Sequence, residues 1–515
     1  MNRYLVAVCL FMTLILPSCG IPANIGMLTS QTVELSRNKG IEQQVVLPNC
    51  VYVVVDDFDL HERVVTLPTG CSLFFAGGCL RNGTLVGKDT YVVVRQSSPV
   101  FSEVMLKGTF VSSSFPINAY ACKALDYFYS FLQAFSGTNL YLEDDYCVTK
   151  YLGKIEGTTP SILNIDGRGH KLSLYSFGAY KVEQCSIKDI VIDCRNNITP
   201  KNKWKSDGFN FGVMGLFEKS SLSLKNVMFT KECAKVYIRG FKELNITNCT
   251  EDGSYFFVYD CDNVSFLNNH ISNAANGYYS IGRQTQDGKI RIENNTFRNI
   301  SGGGIILSGG LKYNVSIVNN ILENVGGGGA MSACINIHPW GKNKVNKNTI
   351  IANKGAVTLD IDAARDEMFN EKTTVEVKKN VIKGAAGDTS LHGMALVGLG
   401  NLDFRNNTIT DQQLYFWDTP YMKFYNNKIS YSKGFDANTS IGKMSTHELT
   451  ENIEYKHYYK NNVVDIPYAK SYVKFEYLSK AKVRINGKRN KYSHPVSFVD
   501  QYKQFEVKGD IKMYH

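Results

Sequence analysis

Two short strand-like segments carry the residues whose types and spacing could do chemistry. In the sequence TLDID, Asp360 and Asp362 are two residues apart, and in CINIHPW, Asn336 and His338 have the same spacing. Residues i and i+2 of a strand lie on one face, about 7 Å apart, so each pair should project from the same side. Two carboxylates can divide the acid and base roles of glycoside hydrolysis, and a separation of roughly 6.5 to 9.5 Å would favour inversion.

The same segments could instead serve a lyase. In a lyase a base removes the proton α to a uronate carboxylate, while cations or a metal stabilise the enolate. Arg365, Arg283 and His338 are the candidates for these roles. A plainer interpretation is that Asp360 and Asp362 are solvated or bind a structural cation, for which calcium is the candidate. No other cofactor is expected.

Aromatic residues near these segments favour a carbohydrate ligand, because flat rings stack on the C–H faces of sugars. The candidates are Trp340, Trp417, Tyr278 and Tyr259, which fall at strand ends or at outward positions, with Asn336 as a polar partner. Aromatic side chains on an exposed sheet also occur as plain cross-strand packing. Both interpretations remain open from the sequence.

The strands that must position these residues belong to a repeat. From residue 222 onward, apolar segments of period two run into Asn, as in VSFLNN, IRIENN and VSIVNN. The second Asn of each block recurs in steps of 20 to 32 residues, at Asn269, Asn295, Asn320, Asn348, Asn380, Asn407 and Asn427. A fixed phase with a variable step predicts a β-solenoid, in which stacked amides can form an internal ladder. We therefore assign these Asn residues to architecture and not to a site.

Composition excludes several other classes of protein. The 515 residues include 43% hydrophobic and 20% charged residues with 43 Gly, which is incompatible with a charged disordered chain. There is no G-X-Y period and no sustained heptad, which excludes collagen and long coiled coil as the main architecture. The chain therefore has ample apolar material for a large core.

Several segments resemble those of pectate-lyase-like right-handed parallel β-helices. Residues 119–148 combine helical apolar spacing with a short strand, and LNIDGRGHKL and CSIKDIVIDC look like the next turns. TLPTGCSLFFAGGCLRNGTLVGK is similar to the extra N-terminal turns of secreted bacterial members. The resemblance implies an all-β, right-handed parallel β-helix with a short helix near residues 120–135 and a C-terminal cap. It fixes no chemistry, because this architecture hosts lyases, hydrolases, epimerases and adhesins, and no catalytic motif of the polygalacturonases or typical pectate lyases carries over.

The N-terminus is typical of an export signal. Arg3 precedes an apolar run from Leu5 to Leu16 that is too short to span a bilayer. The sequence LPSCG that ends this run resembles a bacterial lipobox, which would make Cys19 the diacylated first residue of the mature chain. We expect a signal peptide at 1–18, a lipid-anchored linker at 19–44, N-terminal β-helix turns at 45–118, the main β-helix at 119–430 and a basic C-terminal cap at 431–515.

Charge is concentrated near the C-terminus. The chain has a formal net charge of +10, and residues 430–515 contain 15 Lys or Arg against 9 Asp or Glu. This segment is either a solvated cap over the last turn or a surface that attracts an acidic polymer. Nucleic acid is not expected as a partner of an exported protein. The 11 cysteines beyond Cys19 show no pattern of a disulfide framework or a zinc site, and buried small hydrophobic residues are the simplest interpretation.

These observations together predict a carbohydrate-active protein of the bacterial cell envelope. We expect a monomer that cleaves a complex polysaccharide, as a glycoside hydrolase or a polysaccharide lyase, at a groove around residues 255–420. The expected partners are a polysaccharide and, through the lipid anchor, a membrane. The alternatives are a non-catalytic glycan-binding or adhesive surface lipoprotein and a purely structural envelope protein.

Overall fold

The computed structural model describes residues 31–148, 150, 160–194, 211–233, 235–282, 288–308, 313–327, 332–363, 370–384, 394–432, 443–445, 453–466, 473–477, 482–493, 496–500 and 505–510. The chain divides into two compact units, Met1–Ser112 and Ser113–His515. The predicted signal peptide and Cys19 lie outside the described residues.

The first unit is a stack of parallel strands around an apolar core. Its strands are Thr32–Glu34, Val51–Val54, Phe58–Asp59, Val64–Thr66, Ser72–Phe75, Leu80–Val94 and Phe101–Val111, with one short helix, α1 (Ile41–Gln44). Every pairing between them is parallel. Leu73 and Phe75 are fully buried, while the alternating residues of the same strand are partly exposed, so one face of each strand forms the core.

The predicted helix lies near the start of the second unit. Strand Ser114–Pro116, the 3₁₀ helix Ile117–Ala119 and strand Tyr120–Ala121 lead into α2 (Leu125–Ala134). Leu125, Phe128 and Leu132 follow helical spacing and are buried on one face of α2. Phe131 stacks on Tyr120, with ring centroids 4.7 Å apart. The helix predicted near residues 120–135 is therefore confirmed.

Three strands recur in each turn of the second unit and stack into three parallel sheets. The first-sheet strands are Ser114–Pro116, Asn139–Tyr141, Ile162–Asp166, Gln184–Cys194, Ser221–Phe229, Glu243–Thr247, Asn263–Leu267, Gly288–Glu293, Tyr313–Val318, Lys342–Asn346, Asn370–Lys378, Leu399–Arg405, Tyr421–Tyr425, Tyr455–Lys460, Val483–Lys488 and Phe505–Gly509.

The second sheet follows the first around a tight corner. Its strands are Tyr146–Val148, Lys171–Leu174, Thr250–Asp252, His270–Ser272, Thr296–Ile300, Ile321–Val325, Thr349–Ala352, Val381–Lys383, Thr408–Thr410, Lys428–Ser430, Val463–Asp465 and Lys491–Tyr492. Two long strands, Gln184–Cys194 and Ser221–Phe229, continue from the first sheet into the second.

The third sheet has 13 strands among the described residues and begins at Phe177. They are Phe177–Val182, Phe211–Gly215, Val236–Arg239, Phe256–Tyr259, Tyr278–Ile281, Ile305–Ser308, Ile335–Ile337, Leu359–Asp362, Met394–Val397, Leu414–Trp417, Lys443–Ser445, Val473–Tyr477 and Val496–Asp500. The inward positions of the described side chains are mainly aliphatic or aromatic and buried. The fold is an all-β, right-handed parallel β-helix, as the sequence predicted.

A ladder of buried amides holds the corner between the first and second sheets. Asn320 is representative: its Nδ2 donates to Ile292 O at 2.8 Å and to Asn348 Oδ1 at 3.0 Å, and its Oδ1 accepts from Asn295 N and Nδ2 at 2.9 Å. The residue before it, Asn319, has φ +59°, a left-handed conformation that Asn tolerates. Each corner amide thus satisfies backbone groups of the neighbouring turn that would otherwise be buried unpaired.

The ladder joins all seven predicted amides and extends beyond them. Asn427 Nδ2 donates to Asn462 Oδ1, Asn462 Nδ2 donates to Asn490 Oδ1, and Asn490 Nδ2 donates to Asp510 Oδ1. The first-sheet strands follow it to Phe505–Gly509. Parallel β-helix turns therefore run through part of residues 431–515, the segment predicted as a cap.

The described cysteines are consistent with the simplest interpretation of the sequence. From Cys50 to Cys334 all but Cys147 are buried. The buried ones fill apolar positions of the solenoid and of the first unit.

Candidate functional site

The predicted site residues lie on the outer face of the third sheet. Leu359 and Ile361 point inward and are fully buried, so Asp360 and Asp362 occupy the outer face, as predicted. The preceding strand places Ile335 and Ile337 inward and Asn336 outward in the same way. The structure therefore brings the two predicted segments onto adjacent strands with their polar residues on one side.

Asn336 and Asp360 form the centre of this site. They are register partners on adjacent strands, and Asn336 Nδ2 donates to Asp360 Oδ2 at 2.9 Å. Both residues are nearly inaccessible, with 0% and 3% of their surface exposed, although they lie on the outer face of the sheet. The sequence predicted exposed positions here, and the structure shows sheltered ones. A sheltered carboxylate acts in a lower effective dielectric, which strengthens its electrostatic interactions with a bound group.

A second row of polar residues runs beside the first. Ile337 pairs with Ile361, and Leu307 pairs with Ile337, so Ser308, His338 and Asp362 follow at equivalent positions on three successive strands. Neighbouring strands lie about 4.8 Å apart, which places the three side chains side by side. Ser308 and His338 are buried, and Asp362 is half-buried. We name Asn336, Asp360, His338 and Asp362 the polar centre.

Aromatic side chains flank the polar centre on the preceding strands. Tyr237, Phe257 and Tyr279 are register partners on the outer face, with ring centroids 5.7 Å apart for the first pair and 5.1 Å for the second. Tyr279 is followed in register by Ile306 and then by Asn336. This aromatic row thus ends about two strand spacings from the polar centre.

A second aromatic group lies on the following strands. Asp360 is followed in register by Ala395 and then by Tyr415, and Asp362 is followed by Val397 and then by Trp417. The rings of Tyr415 and Trp417 contact each other edge-on at 6.0 Å. The Trp417 indole N–H has no hydrogen-bond partner among the described residues. The polar centre therefore lies between aromatic groups on both sides.

Cationic side chains accompany the first aromatic row. The Lys235 ammonium lies 4.4 Å from the centre of the Phe257 ring, and the Arg239 guanidinium lies 4.7 Å from that of Tyr259. Arg239 also contacts Asp260 at 3.4 Å. Tyr259 thus lies on the outer face, as predicted, and its ring is covered in part by Arg239.

Several predicted residues lie elsewhere. Tyr278 is the first residue of its strand but points into the solenoid, where it is fully buried and packs on Phe266 at 4.8 Å, so its ring is not part of the outer face. Its neighbour Tyr279 has the outward position instead. Trp340 follows the strand Ile335–Ile337 and is half-buried. Arg283 and Arg365 lie outside the described residues.

One buried carboxyl group lies inside the solenoid and was not singled out in the sequence. Glu251 is fully buried at an inward position of the second sheet, where its register neighbours are Phe229 and Ile271. Neither of its carboxyl oxygens has a hydrogen-bond partner among the described residues. Burial raises the pKa of Glu251 well above its usual range, because the interior disfavours the charged carboxylate.

A metal-capable group lies in the first turns of the second unit. Within the described residues, ligand atoms of Asp144, Asp145 and His170 all lie within 4.8 Å of one another. Asp144 and Asp145 fall outside the central turns of the predicted repeat, and His170 joins them only through the stacking of two turns. Both aspartates are exposed, and Asp145 Oδ1 already accepts the Lys171 N–H at 2.8 Å. The aspartates of the polar centre form no comparable group within the described residues.

Comparison with known proteins supports the architecture. A family model described as "Right handed beta helix region" matches residues 254–429, the part of the chain that contains the polar centre, Phe257 and Tyr279 of the first aromatic row, and the second aromatic group. The searches of curated proteins and of solved structures found no match. Within the described part of the chain, the helices are too short or too polar to cross a membrane.

Proposed function

We propose that this right-handed parallel β-helix protein binds a polysaccharide along the outer face of its third sheet and cleaves it at the polar centre. The observation that carries the proposal is the position of Asn336, Asp360, His338 and Asp362 on two adjacent strands, between aromatic groups on both sides. A right-handed β-helix is consistent with carbohydrate-active proteins and with surface proteins.

The ligand would lie parallel to the solenoid axis, across the strands. The register series from Tyr279 through Asn336 and Asp360 to Tyr415 runs in this direction, one residue per strand. Tyr279 and Trp417 lie on strands five spacings apart, so sugar rings stacked on them would hold the several sugars between them over the polar centre. Trp417 is half-buried, so part of its side chain remains available for stacking on a sugar ring.

The two aspartates supply the groups for glycoside hydrolysis. Asp360 and Asp362 are two residues apart on one strand, about 7 Å, which leaves room for a water molecule between a general base and the sugar. One carboxyl group protonates the departing oxygen, and the other takes a proton from the attacking water. The hydrogen bond from Asn336 orients the Asp360 carboxylate, and His338 stands beside Asp362. In the lyase alternative, His338 is the base that removes a proton from a uronate ring.

Activity measurements on a panel of neutral and acidic polysaccharides test this proposal. Reducing ends report cleavage of any kind, and ultraviolet absorbance of an unsaturated uronate reports a lyase. The variants Asp360→Asn and Asp362→Asn remove one carboxylate each, and His338→Ala removes the imidazole. Asp465→Asn, on an exposed second-sheet position, is the matched control.

Each outcome identifies one chemistry. New reducing ends without absorbance, lost in Asp360→Asn or Asp362→Asn but kept in Asp465→Asn, establish a hydrolase. Absorbance that disappears in His338→Ala establishes a lyase. Glycan binding that persists in every variant, with no cleavage of any polysaccharide, contradicts the enzymatic proposal and leaves a glycan-binding or adhesive protein, which the flanking aromatic rings would serve.

The cellular location follows from the N-terminal sequence. We infer that the chain is exported and that Cys19 carries a lipid that anchors it to the bacterial cell envelope. Metabolic labelling with a fatty acid, which should label the wild type and not Cys19→Ser, tests this inference. Label retained in Cys19→Ser would overturn it. A calcium requirement is tested with the same activity assay in the presence of a chelator.

A further inference from the structure

A grid of tyrosines and cations covers the outer face of three successive first-sheet strands, Tyr421–Tyr425, Tyr455–Lys460 and Val483–Lys488. Three strands contribute three outward residues each, and we name these nine residues the Tyr–Lys grid. They are Tyr421, Lys423 and Tyr425, then Lys456, Tyr458 and Lys460, then Arg484, Asn486 and Lys488.

The strand register places tyrosines and cations next to each other in both directions. Tyr421 pairs with Lys456, Lys423 with Tyr458, and Tyr425 with Lys460. The third strand continues these three columns with Arg484, Asn486 and Lys488. Neighbours along a strand are about 7 Å apart and neighbours across strands about 4.8 Å apart, so each tyrosine of the first two strands has a cation within reach on several sides.

The grid residues face outward because the alternating residues form the core. Met422 and Phe424, Tyr455 and Tyr459, and Ile485 are buried beneath them. Lys460 and Lys488 are exposed, and the other grid residues are half-buried. The tyrosine rings are in contact: those of Tyr421 and Tyr458 lie 5.8 Å apart. Packing of this kind holds the rings in place, and each of the three tyrosines keeps part of its surface exposed.

The grid carries an excess of positive charge. It contains five cationic residues and no acid. Two acids at its edges form ion pairs with part of it: Glu454 contacts Lys456 at 3.2 Å and Arg484 at 3.0 Å, and Glu506 contacts Arg484 at 3.1 Å. Within the described residues, Lys423, Lys460 and Lys488 make no ion pair.

We propose that the Tyr–Lys grid is a binding surface for an anionic polysaccharide. Flat rings at intervals of a strand or two suit sugar rings, and the cations between them suit carboxylate or sulfate groups on those sugars. A surface that only solvated the end of the solenoid would need no tyrosines, and a surface for neutral glycans would need no excess of cations. The grid belongs to a different sheet from the polar centre, so this proposal does not depend on cleavage.

Binding to defined polymers tests the proposal. The full mature chain carrying Asp360→Asn, which prevents cleavage, is titrated with polygalacturonate, heparin, a neutral glucan and inorganic polyphosphate. The proposal predicts binding of at least one acidic glycan, weakened by added salt, and no comparable binding of the neutral glucan. The triple variant Lys423→Ala, Lys460→Ala, Lys488→Ala should bind that acidic glycan about tenfold more weakly, because each exposed ion pair contributes a few-fold.

A charge-matched control separates the grid from the overall charge. The variant Lys39→Ala, Lys88→Ala, Lys107→Ala removes three exposed lysines of the first unit and changes the net charge by the same amount. It should bind acidic glycan like the parent. Equal losses in both triple variants would reduce the effect to net charge and overturn the proposal.

The tyrosines distinguish a glycan from any other polyanion. Tyr458→Ala should weaken the binding of acidic glycan. It should not change the binding of polyphosphate, because polyphosphate has no sugar ring to stack on the tyrosine. Tyr458→Phe should retain glycan binding, because the aromatic ring remains. Preference for single-stranded DNA or for vesicles of anionic phospholipid over every acidic glycan would overturn the proposal. If the wild type cleaves a polysaccharide but no acidic glycan binds at the grid, the proposal for the grid is overturned. If acidic glycan binds at the grid but no polysaccharide is cleaved, only the enzymatic proposal is refuted.

Discussion

The amide ladder gives the sharpest quantitative prediction. Replacement of Asn320 by Ala removes four buried hydrogen bonds: two donated by its Nδ2 and two accepted by its Oδ1. Its own backbone N–H still donates to Asn348 Oδ1, so that contact is kept. Asn320 has no left-handed φ, and Ala is therefore accommodated without backbone strain.

The magnitude follows from what the change leaves unpaired. The Ile292 carbonyl, the Asn295 N–H and one Asn295 amide hydrogen lose their partner inside the solenoid. A net hydrogen bond is worth about 1 kcal/mol and an unsatisfied buried group costs about 1 to 3 kcal/mol, so the free energy of unfolding should fall by about 3 to 6 kcal/mol. In a solenoid each turn contacts only its neighbours, so the loss should be local.

The neighbouring amide provides a matched control. Asn319 is exposed, and its Nδ2 donates only to Asn294 Oδ1, at 2.7 Å. Asn319→Gly keeps the left-handed conformation and should cost less than about 1 kcal/mol. Urea unfolding followed by tryptophan fluorescence measures both variants, and hydrogen exchange should rise around residues 292–325 in Asn320→Ala alone. Equal small losses of unfolding free energy in the two variants would refute the claim that the buried amide ladder stabilises the solenoid.

Three further predictions concern the core and the binding face. Glu251→Leu should stabilise the fold by about 1 to 3 kcal/mol at neutral pH, because Leu is apolar like the register neighbours Phe229 and Ile271 and removes a fully buried carboxyl group. Burial raises the pKa of Glu251, so above pH 4.5, the usual pKa of the carboxyl group in the unfolded chain, Glu251 should lower the free energy of unfolding more and more as the pH rises. Urea unfolding of the wild type and the variant across this pH range measures the difference. His457 donates to Thr419 O at 2.8 Å inside the solenoid, and burial lowers its pKa to about 4. Below pH 6.5 the unfolded chain protonates this imidazole while the folded chain does not, so the free energy of unfolding should fall by about 3 kcal/mol between about pH 6.5 and 4. In His457→Gln this fall should be smaller, as urea unfolding across the same pH range would show. Trp417→Ala should weaken glycan binding by the Asp360→Asn protein about three- to tenfold, whereas Trp417→Phe keeps a ring and should lose less.

The fold could be predicted because its signal is local. Each corner amide follows a short period-two strand, and the phase of Leu359 to Asp362 is fixed by two large aliphatic residues that cannot face solvent. The same signal is present in YYKNN, where Asn461 and Asn462 continue the ladder, but the basic composition of that segment favoured a cap. The pattern of a period-two strand followed by two Asn would by itself have extended the predicted β-helix into this segment.

The site was harder to predict because it depends on contacts between turns. The sequence GYYSIG offers two adjacent tyrosines and no strong alternation, so the choice between Tyr278 and Tyr279 is decided by packing on Phe266. The burial of Asp360 is likewise invisible in a pattern that only separates inner from outer faces. The Tyr–Lys grid depends on register between strands whose ladder amides are 35 and 28 residues apart.

The unequal turn lengths show where the solenoid accepts extra residues. Ladder amides are separated by 25 residues from Asn295 to Asn320 but by 32 from Asn348 to Asn380, although each is flanked by a first-sheet and a second-sheet strand. Most of the extra residues of the longer turn fall in the part that contains the third-sheet strand Leu359–Asp362, and the rest lengthen the first-sheet strand Asn370–Lys378. Insertions there leave the amide ladder intact, since its hydrogen bonds involve only the corner and the adjoining strand. The third sheet can thus acquire a sheltered polar site at little cost to the stability of the solenoid.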